Sequence, residues 1–503
     1  MRSDVEETFR RYSSTDGVRA ELKSKSVRGA LYLATSGGAD LALKVVTIAI
    51  LSRLISPEHF GFIGMVTAVT ALVDGFRDLG LSAATVQRPT ITHQQVSNLF
   101  WINTVAGAAF AVLFCAVAPL IAAFYNEPRL THVTVGMAVV VLLTGLSIQH
   151  SALMTRQLRQ GELAVIFLGS SAISTVVAWL LAVQGWGYWA LVWREIVRAL
   201  FSLIGGWLRC RWVPSWPRRS EGTGEMLRFG RDLGLTSLLT SLIANIDRLV
   251  IGRVAGAVAV GMYRQAQSLL MVPIEQLNAP IISVSQPALS ALQHEPERYR
   301  RYYEKIVLLV SLTTVPCGLF VAVYAEEITR LVLGQQWAAA AVFVRIFAVA
   351  AAIRPALATS AVVLITCGKS GRFLVLAIAH SALLVALIFA GLGWGPAGVA
   401  LAHLGATVIL MIPKLYLSFQ DTPVSMESFW RATRLPLFAG LVMVSGLSLV
   451  KIFMPVGGVI PTLLVGCVFG GLLYAGVWLV HAPGRGQLQT LGQDLMDWRP
   501  KAA

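Results

Sequence analysis

Charged residues are scarce in this sequence. Asp, Glu, Lys and Arg make up 13% of its 503 residues, whereas hydrophobic residues make up 56% and the mean hydropathy is +0.68. A soluble protein carries about a quarter charged residues, so the composition excludes an ordinary soluble domain. The ten-residue alternation that would predict a transmembrane β-barrel is also missing. The composition therefore indicates a helical protein whose surface faces lipid.

Motifs that would indicate catalysis are missing too. No Walker A motif occurs, so we do not expect the chain itself to hydrolyse ATP. No long polar loop holds paired carboxylates, a histidine cluster or a G-x-S-x-G motif, as a membrane glycosyltransferase or polymerase would need. The five cysteines lack the spacing of a metal site. We therefore expect no enzyme, no metal site and no cofactor, and the polar first 26 residues predict no signal peptide.

Long apolar runs fill most of the chain. About fourteen of them, each roughly 18–27 residues long, lie between Val27 and His481. A run of about 20 apolar residues crosses the hydrocarbon core as a helix, because a helix satisfies its own backbone hydrogen bonds. The sequence therefore predicts an all-α membrane protein with about 14 transmembrane helices.

These runs form two groups of six and a final pair. The longest internal polar break, CRWVPSWPRRSEGTGEM, predicts a cytoplasmic linker between the two groups. The predicted segments are a cytoplasmic N-tail (1–27), an N-lobe (28–208), the linker (209–228), a C-lobe (229–419), two further spans (420–481) and a cytoplasmic C-tail (482–503).

An internal repeat supports this division. ILSRLISPEHFGF and VIGRVAGAVAVGM align without gaps at an offset of 200, which pairs Arg53 with Arg253 and Gly61 with Gly261. Both stretches end one predicted span and begin the next. With six spans per lobe, the copies have the same orientation and are related by an axis along the membrane normal.

The basic residues alternate between the two sides of the membrane. Of the 41 Lys and Arg, 27 fall in predicted inner segments and five in outer ones, which places both termini in the cytoplasm. The net charge of +15 therefore reflects topology and attraction to anionic lipid headgroups, and no nucleic-acid partner is expected.

Charged residues also lie within the predicted spans, where they are costly and usually face a bundle interior or a wet cavity. The basic ones outnumber the acidic ones, which favours an anionic cargo. The basic residues are Lys44, Arg77, Arg194, Arg198, Arg248, Arg264, Arg345, Arg354 and Lys414, and the acidic ones are Asp40, Asp74, Asp78, Glu195, Asp247 and Glu275.

Several of these groups have a structural alternative. Asp40 and Lys44 lie four residues apart, where an intrahelical ion pair forms readily. Asp74 and Asp78 share a helix face with Arg77, which either neutralises them or leaves a proton- or ion-coupling site, since neighbouring carboxylates raise each other's pKa. Asn245, Asp247 and Arg248 could likewise form a polar contact between the lobes that holds helices together.

Two parts of the chain resemble the Wzx-type polysaccharide flippases. LSRLISPEHFG, DLGLSAATVQ and FYNEPRL are similar to the first half of those proteins. NIDRLVIGRVAGAVAVGMYRQAQSL and the following PIISVSQPALSALQ resemble the family's most recognisable stretch. The resemblance covers about Val27 to Phe419. These flippases are the polysaccharide transporters of the multidrug/oligosaccharidyl-lipid/polysaccharide exporter superfamily. Among them, the chain most resembles the colanic-acid and xanthan-type exopolysaccharide exporters.

The resemblance implies a flippase of the bacterial inner membrane, with two six-helix lobes in a MATE-like fold around a cavity that opens alternately to either side. Its cargo would be undecaprenyl-diphosphate-linked oligosaccharide for exopolysaccharide, capsule or lipopolysaccharide synthesis. Its partners would be membrane lipids and the polysaccharide polymerase and export machinery. An ion-coupled antiporter of the same fold and a polytopic glycan-synthesis enzyme remain alternatives. The substrate-binding candidates are Lys44, Arg77, Arg194, Arg248, Arg264 and Asn245, and the coupling-ion candidates are Asp74, Asp78 and Asp247.

Overall fold

The structure is a computed structural model that describes residues 22–77, 81–88, 90–218, 223–453, 457–482 and 484–486, without the side chains at 22–36, 73–77, 223–233, 235–236, 277, 280 and 283. The described residues form α-helices and two short 3-10 helices, and they contain no strand. The α-helices are α1 (Leu22–Leu54), α2 (Pro57–Arg77), α3 (Leu81–Gln87), α4 (His93–Tyr125), α5 (Leu130–Arg156), α6 (Gln160–Val183), α7 (Tyr188–Cys210), α8 (Thr223–Ala291), α9 (Pro296–Val323), α10 (Ala325–Val332), α11 (Ala341–Thr366), α12 (Ser370–Gly391), α13 (Gly395–Phe419), α14 (Met426–Phe453) and α15 (Val459–Val480).

The all-α membrane class is confirmed. Within the described ranges, eight helical segments are long and apolar enough to cross a membrane, and one of them, Ser370–Phe419, contains both α12 and α13. α8 contains a non-helical residue, Gly256, at φ 77, so it consists of two helical segments that meet where the sequence predicts a turn between spans. The count of fourteen spans stays a prediction.

The chain divides into two compact units, Met1–Arg264 and Gln265–Ala503. This division falls within α8, whereas the sequence predicts a boundary in the linker 209–228. The predicted domain boundaries stay a prediction, and the two tails lie almost entirely outside the described residues.

In the first unit, capping and small residues determine where helices begin and how closely they pack. Thr92 accepts a hydrogen bond from the backbone N–H of Gln95, whose side chain accepts from the N–H of Thr92, so a capping box begins α4. α4 packs on α5, where a Cβ added to Gly107 would lie 3.4 Å from the Cα of Gly145. The helices approach closely because both residues lack a side chain.

The two glycines paired by the internal repeat face each other in this unit. A Cβ on Gly61 of α2 would overlap the carbonyl oxygen of Ala257, and a Cβ on Gly261 would overlap that of Pro57. Pro57 and Ala257 also lie 200 residues apart in the sequence. The crossing of α2 with the second segment of α8 therefore repeats the same contact in both directions, as expected for two related copies. It also explains why α8 up to Arg264 groups with the first unit.

The beginning of the predicted linker lies against α4. The side-chain amide of Asn98 donates to the carbonyl of Arg218 at 2.7 Å and accepts from its backbone N–H at 3.1 Å. The indole of Trp101 donates to the carbonyl of Ser215 at 2.9 Å and stacks on Trp216. Side chains of α4 therefore hold residues 215–218 in place, an arrangement that the sequence analysis does not predict.

The second unit has a large core that α9, α11, α13 and α14 share. Two buried tyrosines of α9 hydrogen-bond to threonines of α11, Tyr299 to Thr366 at 2.6 Å and Tyr303 to Thr359 at 2.9 Å. These bonds satisfy hydroxyls that would otherwise be costly in a water-free interior.

Candidate functional site

A cavity of about 980 Å³ lies within the first unit, lined by α2, α3, α5, α6, α7 and α8. Its volume is at the upper end of the range typical of small-molecule sites. Its lining is unusually rich in hydroxyl groups for the interior of a membrane protein. The lining serines and threonines are Thr67, Thr70, Ser82, Thr144, Ser147, Ser151, Thr155, Ser170 and Ser202.

Four of these hydroxyls form a stripe along α5. Thr144, Ser147, Ser151 and Thr155 recur at intervals of three and four residues, which places them on one helix face. The hydroxyls of Thr144 and Thr155 donate to carbonyls one turn earlier, at 2.7 and 2.9 Å. Because those protons are used within the helix, the oxygens offer acceptor lone pairs to the cavity. Such a face suits a ligand with many hydroxyl donors.

The charged lining is mainly positive. Among the described residues, Arg198, Arg248 and Arg264 line the cavity together with one carboxylate, Glu195. Arg264 lies within electrostatic reach of both Glu195 and Arg248. The described part of the cavity lining therefore has an excess of two positive charges.

α7 supplies an ion-paired cluster at the cavity wall. Glu195 contacts Arg194 at 2.9 Å through one carboxylate oxygen, and through the other it contacts Arg198 at 2.6 Å. The Glu195 side chain is 15% exposed, compared with 47% for Arg198. Both of these ion pairs are formed within a single helix, α7.

Three predicted residues lie on the first segment of α8, and two of them line the cavity. Asn245 and Arg248 lie three residues apart on one face and line the cavity. Asp247 is 1% exposed and is not part of the lining. Its carboxylate accepts hydrogen bonds from the Tyr263 hydroxyl and from the backbone N–H of Arg248, both at 2.7 Å. Asp247 thus joins the two segments of α8 across Gly256.

The remaining predicted residues lie elsewhere or cannot be placed. Lys44 forms an ion pair with Asp40 at 2.7 Å and is not among the lining residues. Arg194 contacts Glu195 but is likewise outside the lining. The side chains of Asp74 and Arg77, and the whole of Asp78, lie outside the described residues.

The structure thus brings together Asn245, Arg248 and Arg264 of the six substrate-binding candidates. It adds Glu195, Arg198 and the hydroxyl stripe, which the sequence analysis did not assign to the site. The serine and threonine spacing of α5 was the available signal. No group of three or more His, Cys, Asp or Glu that could hold a metal occurs in the part of the chain that the structure describes.

Comparisons with known proteins agree on one family and one fold. A family model described as "Polysaccharide biosynthesis protein" matches residues 50–342, more than half of the chain. The lipopolysaccharide biosynthesis protein WzxC of Escherichia coli (strain K12) is 28% identical over 63% of this chain and 65% of its own length. The succinoglycan biosynthesis transport protein ExoT of Rhizobium meliloti (strain 1021) is 25% identical over 59% of this chain and 60% of its own length.

The chain therefore spans just under two thirds of the length of these two relatives. Among solved structures, the lipid II flippase MurJ in an inward closed conformation superposes with a TM-score of 0.70, covering 89% of this chain and 98% of that one at 12% identity. At that identity the superposition shows a shared fold.

Proposed function

This chain belongs to the polysaccharide biosynthesis protein family, and we propose that it moves undecaprenyl-diphosphate-linked oligosaccharide repeat units across the bacterial inner membrane. ExoT, one of its relatives, is named as a transport protein, and MurJ, which shares its fold, is named as a flippase. Both names support transport rather than catalysis, and that of MurJ names a lipid-linked cargo. The chain is a multi-pass membrane protein, and we place both of its termini in the cytoplasm.

The observation that carries this proposal is the composition of the cavity wall. A diphosphate-linked oligosaccharide combines a strongly anionic group with many hydroxyls. Arg198, Arg248 and Arg264 offer planar donors that suit phosphate oxygens. The hydroxyl stripe of α5 offers acceptors for sugar hydroxyls. Both halves of the cargo's headgroup therefore find complementary chemistry within one cavity.

Charge also weighs against the antiporter alternative. A carrier of organic cations needs carboxylates in its binding site. The described wall has one, Glu195, and two arginines already contact it. We therefore favour an anionic cargo.

The cavity would allow transport because it keeps the charged headgroup of the cargo away from the hydrocarbon core. A diphosphate in hydrocarbon would lose its hydration, and the cavity replaces that hydration with arginine and hydroxyl contacts. The lipid tail need not leave the membrane. The cavity is proposed to open alternately to the two sides, so that the headgroup enters from the cytoplasm and leaves outside. The polysaccharide polymerase and export machinery would take up the product.

Deletion of the gene tests the proposal in the cell. Surface polysaccharide should be lost while lipid-linked repeat units accumulate in the inner leaflet. Normal export from a deletion strain that has no other flippase would refute the function.

Substitution of one arginine tests the site. Arg248→Ala should lower export by between about ten- and a hundredfold, because a charge-assisted hydrogen bond contributes roughly 1.5–3 kcal/mol. Arg248→Lys should recover part of the activity, since lysine keeps the charge without the planar donor pair. The matched control is Arg253→Ala, an exposed arginine of the same helix that is not part of the lining. Equal export by Arg248→Ala and Arg253→Ala would remove Arg248 from the site.

A further inference from the structure

Glu195 is the only carboxylate among the described residues that line the cavity. Its two oxygens are occupied by guanidinium groups, at 2.9 Å from Arg194 and at 2.6 and 3.1 Å from two nitrogens of Arg198. A largely enclosed carboxylate held in this way occupies donors that a phosphate would also use. Glu195 therefore stands where an anionic ligand of the cavity would have to bind.

A purely structural role for this cluster is poorly supported by its geometry. Both ion-pair partners of Glu195 are on α7, one and three residues away. An ion pair within one helix contributes only a few tenths of a kcal/mol to the stability of that helix. Other residues of α7 contact neighbouring helices directly, among them Trp207, whose ring stacks on His150 of α5.

Within the residues that the structure describes, two nearby arginines each have a donor without an acceptor. The Nε atoms of Arg248 and Arg194 are buried, and neither has a hydrogen-bond partner among the described residues. A buried donor without an acceptor is costly. A ligand carrying several phosphate oxygens would satisfy such donors, and it would compete with Glu195 for Arg198.

We propose that Glu195 is an internal counter-ion that the diphosphate of the cargo displaces. In the empty protein it neutralises part of the cavity's positive charge through Arg194 and Arg198. When the cargo binds, its phosphate oxygens take over the Arg198 contacts. When Glu195 recaptures Arg198, the grip on the diphosphate weakens and the cargo leaves. This inference rests on the proposed function.

If the cargo displaces Glu195, removal of the Glu195 charge should change the affinity for the cargo in a predictable direction. A competing internal anion weakens binding by the free energy needed to part it from its arginines. Removing its charge should therefore tighten binding of the cargo and slow its release. A carrier that binds too tightly turns over slowly, so binding and transport should change in opposite directions. Loss of an ordinary cargo contact would weaken both.

The experiment compares binding and export for Glu195→Gln. The probe is undecaprenyl diphosphate, titrated against the full-length protein in lipid nanodiscs. Glu195→Gln should bind it about tenfold more tightly than the wild type, equivalent to about 1.4 kcal/mol, while export falls. Glu195→Asp, which keeps the charge, should lie between the two. The matched control is Glu162→Gln, because Glu162 pairs with Arg159 outside the cavity and should leave both measurements unchanged.

The outcomes separate the two proposals. If the wild type does not bind undecaprenyl diphosphate, the proposed function is refuted. If the wild type binds it and Glu195→Gln binds equally or more weakly, the counter-ion role alone is refuted. Thermal unfolding in detergent supplies a further check. A Glu195→Gln protein that melts at lower temperature and binds less would indicate a structural ion pair and would also overturn the inference.

Discussion

Substitution of the two repeat glycines tests the crossing of α2 with the second segment of α8 in the first unit. A Cβ at Gly61 or Gly261 would meet a backbone carbonyl of the opposite helix rather than the end of a flexible side chain. Backbone atoms cannot rotate away, so Gly61→Ala must push α2 and the second segment of α8 apart by about an ångström or more. The variant therefore changes the distance between two helices and not a local rotamer.

The magnitude follows from two opposing effects. Inserting a methyl group into a close-packed contact costs about 1–3 kcal/mol. Replacing glycine by alanine within a helix returns up to about 1 kcal/mol through helix propensity. We expect each single variant to be destabilised by about 1–2 kcal/mol. Because the same separation of helices accommodates both methyl groups, the double variant Gly61→Ala/Gly261→Ala should cost clearly less than the sum.

The assay is thermal or denaturant unfolding of purified protein, with Gly169→Ala as the control. Gly169 lies within α6, and a Cβ there would meet nothing within 4 Å, so alanine should be neutral or stabilising. Unchanged stability in Gly61→Ala, or fully additive losses in the double variant, would show that the two helices do not cross at these glycines.

Three further predictions address other parts of the molecule. Asn98→Ala should loosen the contact between α4 and residues 215–218 and make this segment cleavable by protease about tenfold faster, since the Asn98 amide binds two backbone groups of Arg218. Unchanged cleavage would contradict that role. The Arg129 guanidinium lowers the pKa of the Glu127 carboxyl by hydrogen bonding. The pair therefore contributes about 1 kcal/mol or less to the free energy of unfolding above pH 4.5, and this contribution is lost as the pH falls through the lowered pKa. Melting curves of Glu127→Gln should therefore differ from wild type at neutral pH and converge with it in acid. Cysteine labelling should place Gly222 inside and Gly457 outside, and labelling from the same side would refute the topology.

The fold class was predictable because it depends on quantities summed over the whole chain. Low charge and long apolar runs require helices in a bilayer, whatever the individual residues are. The repeat was predictable for a different reason. The pairing of Gly61 with Gly261 rests on two matched positions, and the structure brings those same positions into contact.

The linker could not be predicted from its composition. The prolines, glycines and charged residues of 209–228 indicate a polar connection but no contact with any particular helix. Its docking depends on side chains of α4 that lie more than a hundred residues away, such as Asn98 and Trp101. An amide in a predicted span signals a buried hydrogen bond, but not which partner it binds.

The site was only partly predictable because charge alone does not give orientation. Asp247 and Arg248 are neighbours in the sequence, yet Arg248 lines the cavity while the Asp247 carboxylate turns to Tyr263. Glu195 and Arg198 were recognised as charges within a span, but their place in the cavity depends on the rotation of α7. Helical spacing of the α5 hydroxyls would have added a second line of evidence.

The helix crossing and the cavity are parts of one arrangement. Arg264 follows Gly261 by three residues, within one helical turn, so the close approach at Gly261 determines how near this arginine lies to α2. A Cβ on Gly64 of α2 would lie 3.5 Å from the Arg264 side chain, and Thr67, one turn further along α2, already lines the cavity. Separating the helices by a methyl group would therefore also displace a cationic group from the hydroxyl-lined wall. The glycines that reveal the repeat are thus also the residues that allow Arg264 to reach the cavity.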